Sequence, residues 1–195
     1  MTADQAALLE LLRARSFKRG RFTLSSGKSS RIYFNMKTTM LHPQGADLCA
    51  RMLVETLDGL SVEYIAGLEM GAVPLLGTVA AKSYVSGRPY HALFVRKSAK
   101  AYGSLTLLEG LDDHAGETLV GKCVALIDDV ATTGNALMKA VDPIRAAGGT
   151  VSDAIVILDR EEGAAERLRA DGITLHSLFT ATDLGVTDED RAPLD

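Results

Sequence analysis

Cysteine is scarce in this chain of 195 residues. Cys49 and Cys123 stand 74 positions apart in apolar surroundings, and neither belongs to a C-x-x-C pair. That excludes a zinc ribbon or a disulfide framework and leaves two buried, reduced thiols as the expectation. His42, His91, His114 and His176 are scattered without metal-ligand spacing. Long apolar runs are missing as well. The longest uncharged one, residues 71–81, falls far short of the roughly 18 residues that a membrane helix needs. The N-terminus lacks a basic stretch followed by an apolar block and a small-residue cleavage site, so a cytoplasmic protein without a membrane partner is expected. No excess of positive charge exists either. The 21 Lys and Arg against 25 Asp and Glu leave a net charge of −4, which argues against nucleic-acid binding through bulk electrostatics.

What is present belongs to a globular chain. Apolar residues make up 47% and charged residues 24%, which excludes disordered, collagen-like and coiled-coil classes. The length suits one domain, 1–195, that hides roughly 70% of its unfolded surface. Charge is unevenly spread: residues 1–40 hold eight Lys and Arg against Asp4 and Glu10, a net of +6, so the remainder carries −10. A small anion could be gripped there, although a solvated face explains the same pattern.

Leu8, Leu11 and Leu12 make residues 4–15 an amphipathic helix. Short runs at 21–24 and 31–35, separated by a polar turn, read as two strands, and Pro43 opens a helix to about Leu57. Apolar runs at 64–68, 91–95, 123–127, 152–158 and 174–179 then alternate with helical stretches at 74–84, 135–147 and 162–170. Such alternation predicts an α/β fold, a parallel sheet flanked by helices, over about 60–180. Residues 1–40 would form an N-terminal hood. Residues 96–121 lack an apolar period and read as one long functional loop.

Val124 to Ile127 make a buried strand, with Asp128 and Asp129 standing where it ends. Val130, Ala131, Thr132, Thr133 and Gly134 form a small-residue turn, and Asn135 and Ala136 open a helix with Leu137, Ala140, Val141 and Ile144 on one face. Backbone N–H groups at such a turn and helix start converge into an anion nest. Carboxylates beside a phosphate cradle would repel the phosphate unless they accepted bonds from hydroxyls, so the inferred ligand is a ribose 5-phosphate. The competing reading is a helix N-cap by Thr132 or Thr133, with both aspartates merely solvated. Pro143 inside that helix should kink or weaken it.

This strand, acid pair and turn resemble the fingerprint of the type I phosphoribosyltransferases, and four further segments resemble the orotate branch of that family. Phe22 to Gly27, Ser30 and Tyr33-Phe34-Asn35 are similar to its hood motif, with Tyr33 and Phe34 packing by the base. Gly67 to Pro74 is similar to its diphosphate loop, and Phe94-Val95-Arg96-Lys97 with Lys100, Gly103 and Glu109-Gly110 to its catalytic loop. Leu158-Asp159-Arg160 places an arginine where the branch binds the orotate carboxylate, a planar anion that suits a guanidinium fork. A surface arginine paired with Glu161 or Glu162 is the competing reading. Ser25 and Met70 stand where the branch often carries lysine, and Tyr102 where its loop usually has histidine.

The resemblance implies transfer of the phosphoribosyl group of 5-phosphoribosyl 1-diphosphate (PRPP) to orotate. Lys100, Asp128 and Asp129 would be catalytic. Arg96, Lys97, Lys100, Tyr102 and residues 128–136 would bind PRPP, while Thr132, Arg160, Tyr33 and Phe34 would bind orotate. Lys28 is a further candidate for the diphosphate, with Lys37 as an unplaced alternative. Mg²⁺ would arrive with PRPP, held by substrate oxygens. A homodimer sharing the 97–110 loop across its interface is implied too. A transferase for another base and a PRPP-sensing regulator are the alternatives. A neutral base has no use for Arg160, and a regulator needs a basic recognition surface.

Overall fold

Thr2 caps the first helix, α1 (Ala3–Arg15), in the computed structural model, which describes residues 1–23, 27, 29–98, 107–111 and 116–192. Its side chain accepts from the Gln5 N–H while the Gln5 side chain bonds back to the Thr2 N–H, so two orphan donors of the first turn are satisfied reciprocally. An antiparallel hairpin follows, β1 (Phe17–Thr23) and β2 (Ser29–Phe34), forming a two-stranded sheet of its own. A short helix α2 (Lys37–Met40) leads to α3 (Pro43–Asp58), with Pro43 in the first turn as expected.

The remaining elements are β3 (Tyr64–Leu68), α4 (Val73–Val85), β4 (His91–Val95), β5 (Leu108–Glu109), β6 (Cys123–Ala131), α5 (Asn135–Ala146), β7 (Thr150–Asp159), α6 (Ala164–Arg169), β8 (Thr174–Thr180) and α7 (Asp188–Arg191). They build a six-stranded sheet in the order β5-β4-β3-β6-β7-β8. All pairings are parallel except β4 with β5, where Glu109 lies opposite Phe94 and Leu108 opposite Val95. The all-parallel expectation is corrected to that extent. The stretch 96–121, read as one loop, turns back along β4 for two residues.

Alternation along β6 sends Ala125 and Ile127 to one face and Val124 and Leu126 to the other. The first face is covered by Leu8, Leu53 and Val79 of α1, α3 and α4, the second by Leu137, Ile144 and Leu168 of α5 and α6. Leu126 and Ile127 are wholly buried, each contributing roughly 1.5–3 kcal/mol relative to exposure. Near-continuous apolar strands are what a sheet covered on both faces requires.

Two further expectations need correction. Strand β6 does not stop at Ile127, because its ladder with β7 continues through Asp128, Val130 and Ala131; the acid pair therefore lies inside the strand. Helix α5 contains Pro143, as the reading of 135–147 had it, and runs three residues past it, the lost N–H falling in the last turn. Both thiols are free as read, but only Cys49 is buried; Cys123 is half-buried. Desolvation pushes the Cys49 thiol up to about 12. No helix among the described residues is long and apolar enough to cross a membrane.

The chain leaves β3 for β4 on one side and β6 for β7 on the other. The C-terminal ends of β3 and β6 therefore flank a topological switch point, where open α/β sheets bind their ligands.

Candidate active site

At that switch point the pleat of β6 separates two neighbouring carboxylates. Asp128 is 6% exposed, while the Asp129 side chain reaches the Lys37 ammonium, with Nζ 3.4 Å from Oδ2. The Asp129 N–H donates to Asp128 Oδ1 at 2.9 Å. Burial, reinforced by the negative charge of Asp129, pushes the Asp128 carboxyl up to about 7. The buried member of the pair therefore gains and loses its proton near neutrality.

The segment after β3 packs directly on these acids. A Cβ on Gly71 would lie 2.8 Å from Asp128 Oδ1 and 3.2 Å from Asp129 Oδ1, so only glycine leaves the carboxylates room. Glu69 fixes this segment to the end of β4: its N–H donates to the Val95 carbonyl at 2.9 Å, and its Oε1 accepts from the Lys97 N–H at 2.8 Å. Met70 is exposed.

From the end of β6 into α5, residues 130–137 line a cavity of about 120 Å³. Gly134 takes φ +77° at the N-cap of α5, and no side chain caps that helix. The N-cap reading of Thr132 and Thr133 therefore fails, and the helix's first N–H groups face this turn without a side-chain acceptor among the described residues. Partial positive charge at a helix start is suited to an anion.

Arg160 follows β7 immediately and stands beside the turn, its N–H donating to the Ala131 carbonyl at 2.9 Å. Its guanidinium lies 5.3 Å from the centre of the Phe34 ring. Nη2 pairs with Glu162 at 2.7 Å, as the competing reading held, yet the side chain is only 16% exposed. It is no solvated surface arginine. Its Nε is buried and without a partner among the described residues, an orphaned donor that suits an incoming anion. A cavity of about 360 Å³ opens between the hairpin and the end of β7, with Ile32, Phe34 and Arg160 in its wall. Phe34 stacks on Phe17 at 5.2 Å. Tyr33 points to the other side of β2, half-exposed against Phe22 at 5.4 Å; the structure brings Phe34 to Arg160 and leaves Tyr33 apart.

Arg96 is anchored at the base of its loop, paired with Glu109 at 3.7 Å while its N–H donates to Leu107. Lys97 next to it is exposed. Lys28, Lys100 and Tyr102 lie outside the described residues, as does Ser25. Sequence reasoning missed the roles of Glu69 and Gly71, and it could not place Lys37. Only the basic bias of residues 1–40 hinted at that cation. A larger cavity, about 490 Å³, lies at the far end of α5 around Pro143; Leu107 and Glu109, the partners of Arg96, reach its wall, but the acid pair, the turn after β6 and Arg160 do not.

The phosphoribosyl transferase domain model matches residues 38–176. The orotate phosphoribosyltransferase of Bradyrhizobium sp. (strain ORS 278) is 47% identical over 182 residues, covering 93% of this chain and 97% of that protein. That of Nostoc sp. is 40% identical over 94% of this chain and 88% of its own. Among solved structures, Mycobacterium tuberculosis H37Rv orotate phosphoribosyltransferase in complex with PRPP superposes with a TM-score of 0.76 at 32% identity, over 94% of this chain and 99% of that one. The same enzyme in complex with Fe(III) dicitrate gives a TM-score of 0.81 at 35% identity. With acid pair, turn and arginine gathered at the switch point of such a sheet, the chain belongs to the orotate branch of the phosphoribosyltransferase family.

Proposed function

We propose that this chain transfers the 5-phosphoribosyl group of PRPP to orotate, giving orotidine 5′-monophosphate and diphosphate in pyrimidine nucleotide synthesis. The bond from orotate nitrogen to the anomeric carbon forms as the bond from that carbon to the diphosphate oxygen breaks. The single observation that carries this reading is the hydrogen bond from the Arg160 N–H to the Ala131 carbonyl, which sets an anion-binding turn and a carboxylate-binding arginine side by side. A ribose phosphate bearing a carboxylated base joins those two features.

In this reading the turn 130–136 holds the 5′-phosphate, with Thr132 shared between phosphate and base. Phe34 and Arg160 receive the base, with Tyr33 at the rim. Glycosyl transfer develops positive charge on the ribose, which Asp128 and Asp129 stabilise once the pair loses its proton. Lys97, Lys100 and Tyr102, with Arg96 and Lys28, meet the charge growing on the diphosphate, and Lys37 supplements them from the side of Asp129. Closure of the 97–110 loop excludes water that would otherwise hydrolyse PRPP.

The donor set suits Mg²⁺ carried by the substrate. Diphosphate and ribose oxygens of PRPP, rather than protein ligands, would hold it, and it would neutralise diphosphate charge. Residues 1–195 act as one catalytic domain, hood included, in a homodimer that shares the 97–110 loop. The free thiols of Cys49 and Cys123 fit a reducing cytoplasmic compartment.

The test is orotate consumption, followed by ultraviolet absorbance with PRPP and Mg²⁺ present. Wild-type protein should consume orotate. Arg160→Ala should raise the KM for orotate at least tenfold, as expected for loss of a charge-assisted fork, with PRPP affinity nearly intact. A wild-type protein inert to orotate but active on uracil or a purine would overturn the choice of base.

A further inference from the structure

The last helix is too short to stand alone. α7 has four residues, closed by a capping box between Thr187 and Asp190, and helices of that length have no independent stability in water. Its position is set by what its side chains grip, and two adjacent ones grip different parts of the molecule. Asp190 accepts from Arg19 of β1, with Nε at 3.2 Å and Nη2 at 3.1 Å. Arg191 donates to the Arg160 carbonyl at 3.0 Å and to the Glu161 carboxylate at 2.5 Å.

Those contacts close a circuit. The Arg19 guanidinium lies 4.9 Å from the centre of the Phe17 ring, Phe17 stacks on Phe34, and Phe34 faces the Arg160 guanidinium. From Arg160 the path returns through Arg191 and Asp190 to Arg19. The circuit joins the hood hairpin to the arginine that we assign to the base.

The turn after Arg160 needs such a hold. Glu161 sits at φ +59°, in the left-handed region that side chains with a Cβ disfavour by roughly 1–2 kcal/mol. Four contacts keep it there: its N–H donates to Asp159 Oδ1 at 2.9 Å, and its carboxylate accepts from the Thr182 N–H at 3.0 Å, from Thr182 Oγ1 at 2.7 Å and from Arg191. Bonds from Thr182 and Arg191 outweigh the cost of burial and hold the Glu161 carboxyl below its ordinary pKa.

We infer that α7 is a specificity latch, in which Arg191 positions Arg160 for the carboxylate of the base and Asp190 couples that position to the hood. This rests on the orotate reading for its kinetic consequence alone. Arg191 also borders the cavity of about 360 Å³, but its Nη1 and Nη2 are engaged by the Arg160 carbonyl and the Glu161 carboxylate. In this scheme it acts through the Arg160 backbone, where a displacement of about 1 Å costs on the order of 100-fold in a well-aligned site.

The test uses purified full-length Arg191→Ala with Arg191→Lys beside it, each checked by circular dichroism and thermal unfolding. In Arg191→Ala the KM for orotate should rise about tenfold while the KM for PRPP stays within about twofold, the loss of one charge-assisted bond setting that scale. Arg191→Lys, which can restore only one of the two grips, should fall between. Amide hydrogen exchange, which needs no substrate, should become faster at residues 160–162 in Arg191→Ala. Either readout unmoved in the folded variant overturns the latch, and so does an equal rise of both KM values. If Arg191→Ala does not fold, Asp190→Asn weakens the Arg19 pair and the cap of α7 while keeping the Arg191 side chain, and it must show the same rise in orotate KM, with faster exchange across 17–23. A wild-type protein inert to orotate sinks the base assignment, while the exchange data still decide whether the latch exists.

Discussion

Asp128 and Asp129 are chemically identical, and one peptide bond separates them, yet the fold assigns them different electrostatic work. Asp129 faces the Lys37 cation; Asp128 is turned inward and pushed up to about 7, first by burial and then by its neighbour. An acid whose pKa is higher folded than unfolded binds its proton more tightly in the native state. Its contribution to stability is complete below the unfolded value near 3.8 and drains away as pH rises through about 7. Asp128→Asn removes that drain. Calorimetric unfolding should find the variant more stable than wild type at pH 8, with the difference shrinking steadily toward pH 4. A difference independent of pH would mean that Asp128 titrates in the native protein as it does unfolded. Turnover should nonetheless fall in the variant, since a neutral amide cannot balance a cationic ribose.

In the proposed function, phosphate binding depends on the turn between β6 and α5, and Gly134 is its hinge. At φ +77° an alanine is strained by roughly 1–2 kcal/mol, and its Cβ would come 3.3 Å from the stem of Arg167. Gly134→Ala should therefore lower the melting temperature by several degrees and weaken PRPP binding several-fold, while the orotate KM moves less. Isothermal titration with PRPP and a melting curve check both; intact PRPP affinity in the folded variant would detach the turn from the phosphate. This element was legible in the sequence because an apolar run, two acids and small residues each demand a particular backbone. Its boundary was not. Two aspartates end the apolar run at Ile127, but the ladder to β7 is made by backbone groups that ignore side-chain polarity, so β6 continues to Ala131. Strand β5 was illegible for a related reason: two residues carry no period, and only the edge of β4 makes Leu108 and Glu109 a strand. The meeting of Lys37 with Asp129 spans 92 positions and exists only once the hood is folded over the sheet. Arg160 was legible as an arginine at a strand end, with Glu162 two residues on as its pair, whereas its contacts with Phe34 and Arg191 follow from tertiary packing.

At the scale of the whole molecule, the open question is how many subunits build one site. If the 97–110 loop crosses a dimer interface, Lys100→Ala and Asp129→Asn should each be nearly inactive as pure homodimers, yet regain activity when mixed. Random exchange makes about half the dimers hybrids with one repaired site each, so recovery should approach roughly a quarter of wild-type activity by symmetry. No recovery after exchange verified by native mass spectrometry would return Lys100 to its own subunit's site. The sheet itself imposes a different constraint, whatever the number of subunits. Adjacent strands keep a pitch of about 4.8 Å, and Ala131 lies beside Asp159 across one such interval. The floor of the turn proposed for the phosphate and the root of the arginine proposed for the base are thus spaced by main-chain geometry, with no side chain contributing. Substitution can retune which base docks, through Arg160 or the ring beneath it, but it cannot lengthen that gauge.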